Sequence, residues 1–239
     1  MRPRGVRGRG RRTGRYDGRG LSLVHKTVAA RLTAVAIAAA LALALLASSG
    51  RSAPAATKWR THSIKEVGSL RLPATWRDMT KQTPAVEAAI RRAAVRNPRV
   101  APLLYALTVR RATYVKFAAA DFARASLKHG FATNVSILAQ RTPVSLDAWA
   151  NANVRALRAT LTVVKPVHRR WVRLPAGRAL ELRFKQKVQA GDRVATVAVT
   201  QYGLKRGASV YLLTYSTTPA QAGSYARVFA KSARSLRLR

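Results

Sequence analysis

Cysteine is absent from the sequence, and aromatic residues are scarce. Without cysteine the chain can form no disulfide, no thiolate metal site, no cysteine nucleophile and no lipidated cysteine after a signal sequence. Aromatic residues make up only 7% of the 239 residues, so we expect a modest core that relies on aliphatic side chains and alanine. The chain is long enough for one domain together with a targeting segment.

Acidic residues are also few: 8 Asp and Glu stand against 45 Lys and Arg, which gives a formal net charge of +37. Arginine supplies 34 of the basic residues, a bias that a GC-rich coding sequence can produce without any functional demand. Residues 51–239 hold 35 basic and 7 acidic residues, so this part alone carries a charge of +28. A protein of that charge attracts polyanions, and the attraction weakens as salt is added.

A segment without charge lies between Arg31 and Arg51, and residues 32–47 contain only Ala, Leu, Val, Ile and one Thr. Basic residues precede it and small residues follow it, which is typical of a secretory signal. Its length is also close to the roughly 20 residues that cross a bilayer. We therefore predict a signal-peptide core or an uncleaved membrane anchor at residues 32–50. The basic side stays in the cytoplasm, and the residues after about 50 are extracytoplasmic, either secreted or anchored to the cell membrane. A buried Ala/Leu helix is the alternative.

Residues 1–31 are predicted to be a disordered basic region in front of this segment. The first 20 residues hold eight Arg and six Gly, a composition that cannot bury a core. Arg-Gly dipeptides are also found in RNA-binding tails. A third interpretation is that translation begins later, near Val24, which would still leave a complete signal.

Behind a short linker, residues 51–63, we predict a single domain at residues 64–239. Thr83 and Pro84 have the residue types that begin a helix, and Ser145 begins another. Alternating polar and apolar residues over 131–140 predict a half-buried strand.

The last third of the chain is the most regular. Four strand-like segments joined by short turns lie between residues 161 and 216, which predicts an antiparallel meander. Thr218 and Pro219 then begin a closing helix with Tyr225 and Phe229 on its apolar face. Strands and helices follow one another in a pattern typical of an α+β protein.

Five short motifs mark the strands, turns and last helix of this domain. They are Leu72-Pro73 with Trp76, Phe131 to Ser136, Leu174 to Ala179, Tyr211 to Tyr215, and Ala233 to Leu236. In these motifs the chain resembles the PsbP-like superfamily, and more narrowly the exported actinobacterial proteins of the LpqN lipoprotein type. The resemblance implies an α/β/α sandwich around an antiparallel sheet and an accessory or binding role. The chain lacks the cysteine that carries the lipid in the lipoprotein members.

No pattern of catalytic residues accompanies these elements. The histidines after the signal, His62, His129 and His168, lie far apart and lack the spacing of metal ligands. No serine stands in a Gly-x-Ser-x-Gly turn, the acidic residues form no close pair, and no glycine-rich phosphate loop precedes a helix. We therefore predict no catalytic residue, no cofactor and no metal, and expect a protein without enzymatic activity.

Basic clusters are the candidate binding residues. Arg92 and Arg96 share a face of the first predicted helix, and Arg169 and Arg173 share a face of a predicted strand with Trp171. Arg91 and Arg170 belong to the same clusters but point aside. We predict that polyanions bind through some of these six arginines, foremost the four that share faces. For the strand, the alternative is that its charges discourage pairing at the edge of a sheet.

One amide is the second kind of candidate. Asn134 lies in the middle of a predicted strand, where an amide side chain is unusual. Its amide either bonds to a neighbouring loop or contacts a ligand.

Two functions fit these observations. The first is an exported or membrane-anchored, non-enzymatic accessory or binding domain of the cell envelope, whose partner is an anionic lipid, a wall polymer or an envelope protein. The second is an intracellular nucleic-acid-binding protein, in which the apolar segment would be a core helix. An exported protein seldom meets nucleic acid, so the location of the protein separates the two.

Overall fold

The computed structural model describes residues 58–80, 83–96, 114–127, 131–160, 162–190 and 193–239. The basic region 1–31 and the predicted signal or anchor at 32–50 lie outside these residues. Among the described helices, none is long and apolar enough to cross a membrane.

Ten strands and four helices form the described part of the chain. The strands are β1 (Trp59–Ile64), β2 (Gly68–Pro73), β3 (Trp76–Asp78), β4 (Val115–Asp121), β5 (Asn134–Arg141), β6 (Val163–Leu174), β7 (Gly177–Ala190), β8 (Arg193–Arg206), β9 (Ser209–Thr217) and β10 (Arg237–Leu238). The helices are α1 (Pro84–Arg96), α2 (Arg124–Leu127), α3 (Leu146–Ala159) and α4 (Ala222–Ser235), and a short 3-10 turn (Pro219–Gln221) leads into α4.

The strands form two antiparallel sheets. The large sheet has the order β3-β4-β5-β9-β8-β7-β6, and the small sheet has the order β1-β2-β10. The predicted meander is confirmed, since β6, β7, β8 and β9 are sequential neighbours. Gly177 and Gly207 lie at two of its turns with φ of 127° and 56°, a region of backbone conformation that favours glycine.

Helices cover the large sheet on both faces. Buried residues of α1 and α3 form one apolar cluster with one face of the sheet. Buried residues of α4 and of the small sheet form a second cluster with the opposite face. The protein is therefore α+β, with an α/β/α sandwich around an antiparallel sheet in which the small sheet shares the outer layer with α4.

Local signals for helix ends agree with the structure. Thr83 Oγ1 accepts a hydrogen bond from Val86 N at 3.2 Å, and Ser145 Oγ accepts one from Ala148 N at 3.1 Å. Each hydroxyl bonds to an amide that has no partner within its helix. The predicted helix starts at Thr83 and Ser145 are confirmed.

The first strand corrects the predicted linker. β1 begins at Trp59 and lies almost wholly within residues 51–63, so the folded domain begins before residue 64. Only Ile64 of this strand is buried, Trp59 and His62 are half-buried, and the other three residues are exposed. A strand with so few buried apolar residues shows no clear alternation in the sequence.

β5 corrects a second prediction. All residues from Asn134 to Leu138 are buried, whereas the sequence predicts a half-buried strand. The strand lies inside the large sheet, and both apolar clusters include its side chains, Leu138 on one face and Val135 and Ile137 on the other. Serine and asparagine alternate with its apolar residues, and their polarity suggested solvent where the structure has a second covered face.

Candidate anion-binding surface

The face of the large sheet beneath α4 is covered only in part. His62 of β1 lies against Phe117 of β4, with ring centroids 5.4 Å apart, and Phe229 of α4 stacks on Tyr215 of β9 at 4.7 Å. Towards the far edge of this face the side chains become exposed, among them Arg183, Lys185 and Lys187 of β7. The outer strands therefore present a polar surface beside the apolar centre.

One row of paired residues shows this change across six strands. In register order it contains Phe117, Ile137, Leu213, Tyr202, Glu181 and Arg170. Residues paired across antiparallel strands point to the same side of a sheet. The row is apolar over the strands that α4 and the small sheet cover, and it ends in an ion pair at the edge strand.

Glu181 is the centre of the polar end of this row. Its side chain is only 3% exposed, although Arg170 and Arg183 beside it are 62% and 52% exposed. Arg170 Nη2 donates a hydrogen bond to Glu181 Oε2 at 2.9 Å, and Arg183 Nε forms an ion pair with Oε1 at 2.5 Å. The hydrogen bond to Glu181 raises the pKa of Arg170. One buried carboxylate thus holds two guanidinium groups that remain open to solvent.

We call Arg170, Arg183, Lys185 and Lys187 the cationic strip. Together with Glu181 they carry a net charge of +3. Tyr202 borders the strip, and burial together with the charge of Glu181 raises its pKa to about 12. The phenol is therefore uncharged at neutral pH, and the strip keeps its positive potential. Paired, partly ordered guanidinium groups are suited to binding phosphate and carboxylate oxygens.

Two of the arginines predicted from the sequence lie on the opposite face of β6. Arg169 Nη1 donates to Asn151 Oδ1 of α3 at 3.1 Å. Arg173 is exposed on the same side and pairs in register with Arg178. β6 is an edge strand of the large sheet, which is the position that the alternative interpretation of its charges requires.

A neighbouring arginine helps to attach this edge to α3. Arg178 lies 3.9 Å from the ring centre of Trp171 and donates to both carboxylate oxygens of Asp147 at 3.1 and 3.2 Å. Such a cation–π contact combined with a bidentate pair positions an arginine rather than leaving it available to a ligand. On this face of the sheet, Arg169 and Arg178 are therefore both bonded to side chains of α3.

The other predicted pair lies on α1. Arg92 is exposed, and Arg96 is the last residue of the helix. The four arginines thus form two separate pairs, one on a helix and one at the edge of the sheet. Whether they bind polyanions stays a prediction.

Asn134 lies beneath the helical layer on the α3 side of the sheet. It is 3% exposed, and its Nδ2 donates to Ala132 O, in the loop before β5, at 3.0 Å. The bond to a neighbouring loop is therefore present, and ligand contact stays a prediction. Asn134 pairs in register with Ser216, whose buried Oγ has no hydrogen-bond partner among the described residues.

The strip contains three residues that the sequence analysis did not select: Arg183, Lys185 and Lys187. Their signal was present, because charged residues alternate with Leu180, Leu182 and Phe184 along β7. Alternation identifies a polar face of a strand. It does not show whether another layer of the protein covers that face. These side chains are available because they remain exposed in the folded structure.

Solved structures similar to this chain include proteins of three bacteria. LpqN of Mycobacterium tuberculosis, which is involved in cell envelope biogenesis, has 10% sequence identity over 71% of this chain and 81% of LpqN, with a TM-score of 0.43. CyanoP, the PsbP protein of Synechocystis, has 10% identity over 81% of this chain and 99% of CyanoP, with a TM-score of 0.42. A protein of unknown function from Pseudomonas aeruginosa has 12% identity over 76% of this chain and 97% of its own, with a TM-score of 0.40.

No protein-family model matches the sequence, and no curated protein matches it. Both kinds of protein to which the sequence motifs point, PsbP and LpqN, are among the similar structures.

Proposed function

We propose that this protein is an exported or membrane-anchored, non-enzymatic binding domain of the cell envelope, and that it binds anionic envelope material. The cationic strip carries the proposal. It places four exposed basic side chains on one face of the sheet around one buried carboxylate. The charge of +28 on residues 51–239 supports the same kind of partner, since it attracts anions over the whole surface.

Export is supported by the apolar segment at residues 32–50, because residues 1–31 on its amino side hold ten basic residues, whereas the ten residues after it hold only Arg51, Lys58 and Arg60. Positive charge is retained in the cytoplasm, so this arrangement directs the following chain outward. The test is a fusion of residues 1–56 to a reporter that is active only outside the cytoplasm. We expect reporter activity. A reporter that stays inactive in the cytoplasm would instead favour the intracellular nucleic-acid-binding protein.

Binding is tested by co-sedimentation of residues 58–239 with phosphatidylglycerol vesicles at low and at moderate salt. We expect binding at low salt and release as salt rises, because screening acts over a length of about 10 Å at 0.1 M. A domain that binds neither these vesicles nor a soluble polyanion such as polyphosphate at low salt contradicts the proposal.

Two variants decide which residues carry the binding. If the arginines predicted from the sequence carry it, the variant Arg92→Ser, Arg96→Ser, Arg169→Ser, Arg173→Ser will lose it. If the strip carries it, this variant will retain most of the binding even though it lacks four charges. The variant Lys185→Ser, Lys187→Ser will then lose more binding, although it lacks only two charges.

A further inference from the structure

We propose that the cationic strip is shaped for one class of anion, a linear polymer of phosphate groups that lies along β7 beside α4. This inference rests on the proposed function and narrows its ligand. Three features of the surface support it. They are the height of α4 above the neighbouring strands, which we call the step, the spacing of the charges along β7, and the arginine pair at one end of the strip.

The step comes from the way α4 packs. α4 contacts β8 and β9. One flank of the helix faces the small sheet, because Lys231 lies over Trp59 at 4.6 Å and Ser235 Oγ accepts from Arg71 N at 2.8 Å. With about 3.6 residues per turn, Ala226 and Ala230 lie on the opposite flank. That flank carries small side chains and is turned away from the small sheet.

The strip therefore lies on the floor of a recess. A packed layer rises about 10 Å above a sheet. A flat bilayer approaching this face meets α4 and the small sheet first, whereas a flexible chain can lie in the step along β7. The shape of the surface favours a linear polymer over a lipid surface.

The charges on the floor are regularly spaced. Arg183, Lys185 and Lys187 are alternate residues of β7 and point to the same side. Neighbouring charges along the strand are about 7 Å apart, given a rise of about 3.4 Å per residue. Such a row matches a partner that repeats its negative charge along one direction, which a single phosphate does not do.

The arginine pair gives the row a defined end. Arg170 and Arg183 contact the two oxygens of one carboxylate and keep more than half of their side-chain surface exposed. Their remaining N–H donors can therefore bind a second oxyanion above Glu181. Phosphate oxygens point in several directions, so one phosphate can accept from both guanidinium groups while the polymer continues towards Lys185.

The test uses the full chain in neutral detergent with fluorescent long-chain inorganic polyphosphate, followed by anisotropy over a range of salt. Lys185→Ser, Lys187→Ser is compared with the control Arg92→Ser, Arg173→Ser. Both variants lose two charges from exposed residues, and both keep the basic region 1–31. Any difference between them therefore reports the position of the charges.

We expect the lysine variant to weaken binding by about thirtyfold and the control by much less, since the loss of two basic contacts at about 1 kcal/mol each corresponds to about thirtyfold in the binding constant. The slope of log K against log salt should become shallower by about 1.4 in the lysine variant, at about 0.7 per phosphate contact. Free phosphate and phosphatidylglycerol micelles are the competitors. At equal phosphate concentration, both should compete far less than unlabelled polyphosphate.

Glu181→Gln tests whether Glu181 acts by positioning Arg170 and Arg183 or only through its own negative charge. The substitution removes one negative charge and so raises the net charge by one, which would tighten binding if the attraction were purely general. If Glu181 positions Arg170 and Arg183, binding will weaken instead, and the slope against salt will become shallower. Thermal unfolding shows whether this variant folds; if it does not, the lysine variant decides the question alone.

The outcomes against the proposal are distinct. Equal weakening by the lysine variant and its control would overturn the strip as a site but leave anion binding in place. Competition by phosphatidylglycerol micelles as strong as that by polyphosphate would overturn the linear polymer in favour of a lipid surface. An absence of binding to every anionic probe would overturn the proposed function itself.

Discussion

The central and outer strands of the large sheet belong to one sheet but differ in what covers them. Val135 of β5 and Tyr215 of β9 are buried beneath α4 and the small sheet. On β7, Lys185 and Lys187 point to the same side of the sheet and are exposed. The packing of one helix therefore divides a continuous face into a core and a surface that can bind a partner.

The largest effect is expected from placing a charge in the covered half. Phe229 is 3% exposed and stacks on Tyr215. Phe229→Asp loses this contact and buries a carboxylate without a partner, so we expect destabilisation by about 4 kcal/mol or more. Residues 58–239, expressed alone, should be soluble, monomeric or weakly associated, and unfold cooperatively in urea, followed by circular dichroism.

The matched control is a charge reversal in the uncovered half. Lys187→Asp changes an exposed residue of β7 and should alter the free energy of unfolding by no more than about 0.5 kcal/mol. If Phe229→Asp were as mild as this control, α4 would not cover the sheet as described.

Adding one methyl group tests the helical layer on the other face. A Cβ at Gly203 of β8 would lie 2.7 Å from Trp149 Cη2 and closer still to Cζ3. Gly203→Ala should therefore destabilise the domain by about 1–3 kcal/mol through overpacking. Combining it with Trp149→Leu, which shortens the facing side chain, should cost less than the two separate effects together. Strict additivity in urea unfolding would show that the two residues do not touch.

Loss of a buried hydrogen bond beneath α4 should lower the free energy of unfolding by a similar or smaller amount. Tyr225 donates to Asp121 Oδ2 at 2.6 Å, and Asp121 is 1% exposed. Burial, followed by the charge of Asp121, raises the pKa of Tyr225, so the phenol remains a donor at neutral pH. Tyr225→Phe leaves a buried carboxylate oxygen without this donor and should cost about 1–3 kcal/mol in urea unfolding. Tyr114→Phe, at an exposed position, is the control and should be nearly neutral.

The smallest effect is a dependence on pH at the small sheet. Burial lowers the pKa of His62 below its usual 6.5, so the folded state favours the neutral ring. The unfolded chain takes up the proton first as pH falls, and the stability present above pH 6.5 is lost below it. The urea midpoint should therefore fall more between pH 7 and pH 5 for the parent than for His62→Gln. Identical pH profiles would contradict this role.

Local patterns predicted the elements whose signals lie close together in the chain. Thr83 and Ser145 bond to amides three residues away, and the strands of the meander are joined by short turns. β1 was missed because only Ile64 is buried. β10 has two residues, too few to form a pattern, and it exists only because it pairs with β2.

The sequence predicted the chemistry of the candidate site but not the residues that form it. A basic, exposed surface followed from the charge of the chain, but the arginines chosen were those nearest to one another in sequence. Arg170 and Arg183 are 13 positions apart and meet because β6 and β7 pair with Glu181 between them. Clusters in a sequence show neighbours along the chain, whereas this surface is built from neighbours across strands.

The sequence by itself determined which residues of β7 share a face, because successive side chains of a strand point to opposite sides. It also determined the excess of positive charge and the apolar face of α4. Tertiary packing places α4 on β8 and β9, buries Glu181 between Arg170 and Arg183, and leaves Lys185 and Lys187 exposed. The physical reason is that burial depends on contacts between remote segments, such as Phe229 on Tyr215, which no local alternation records.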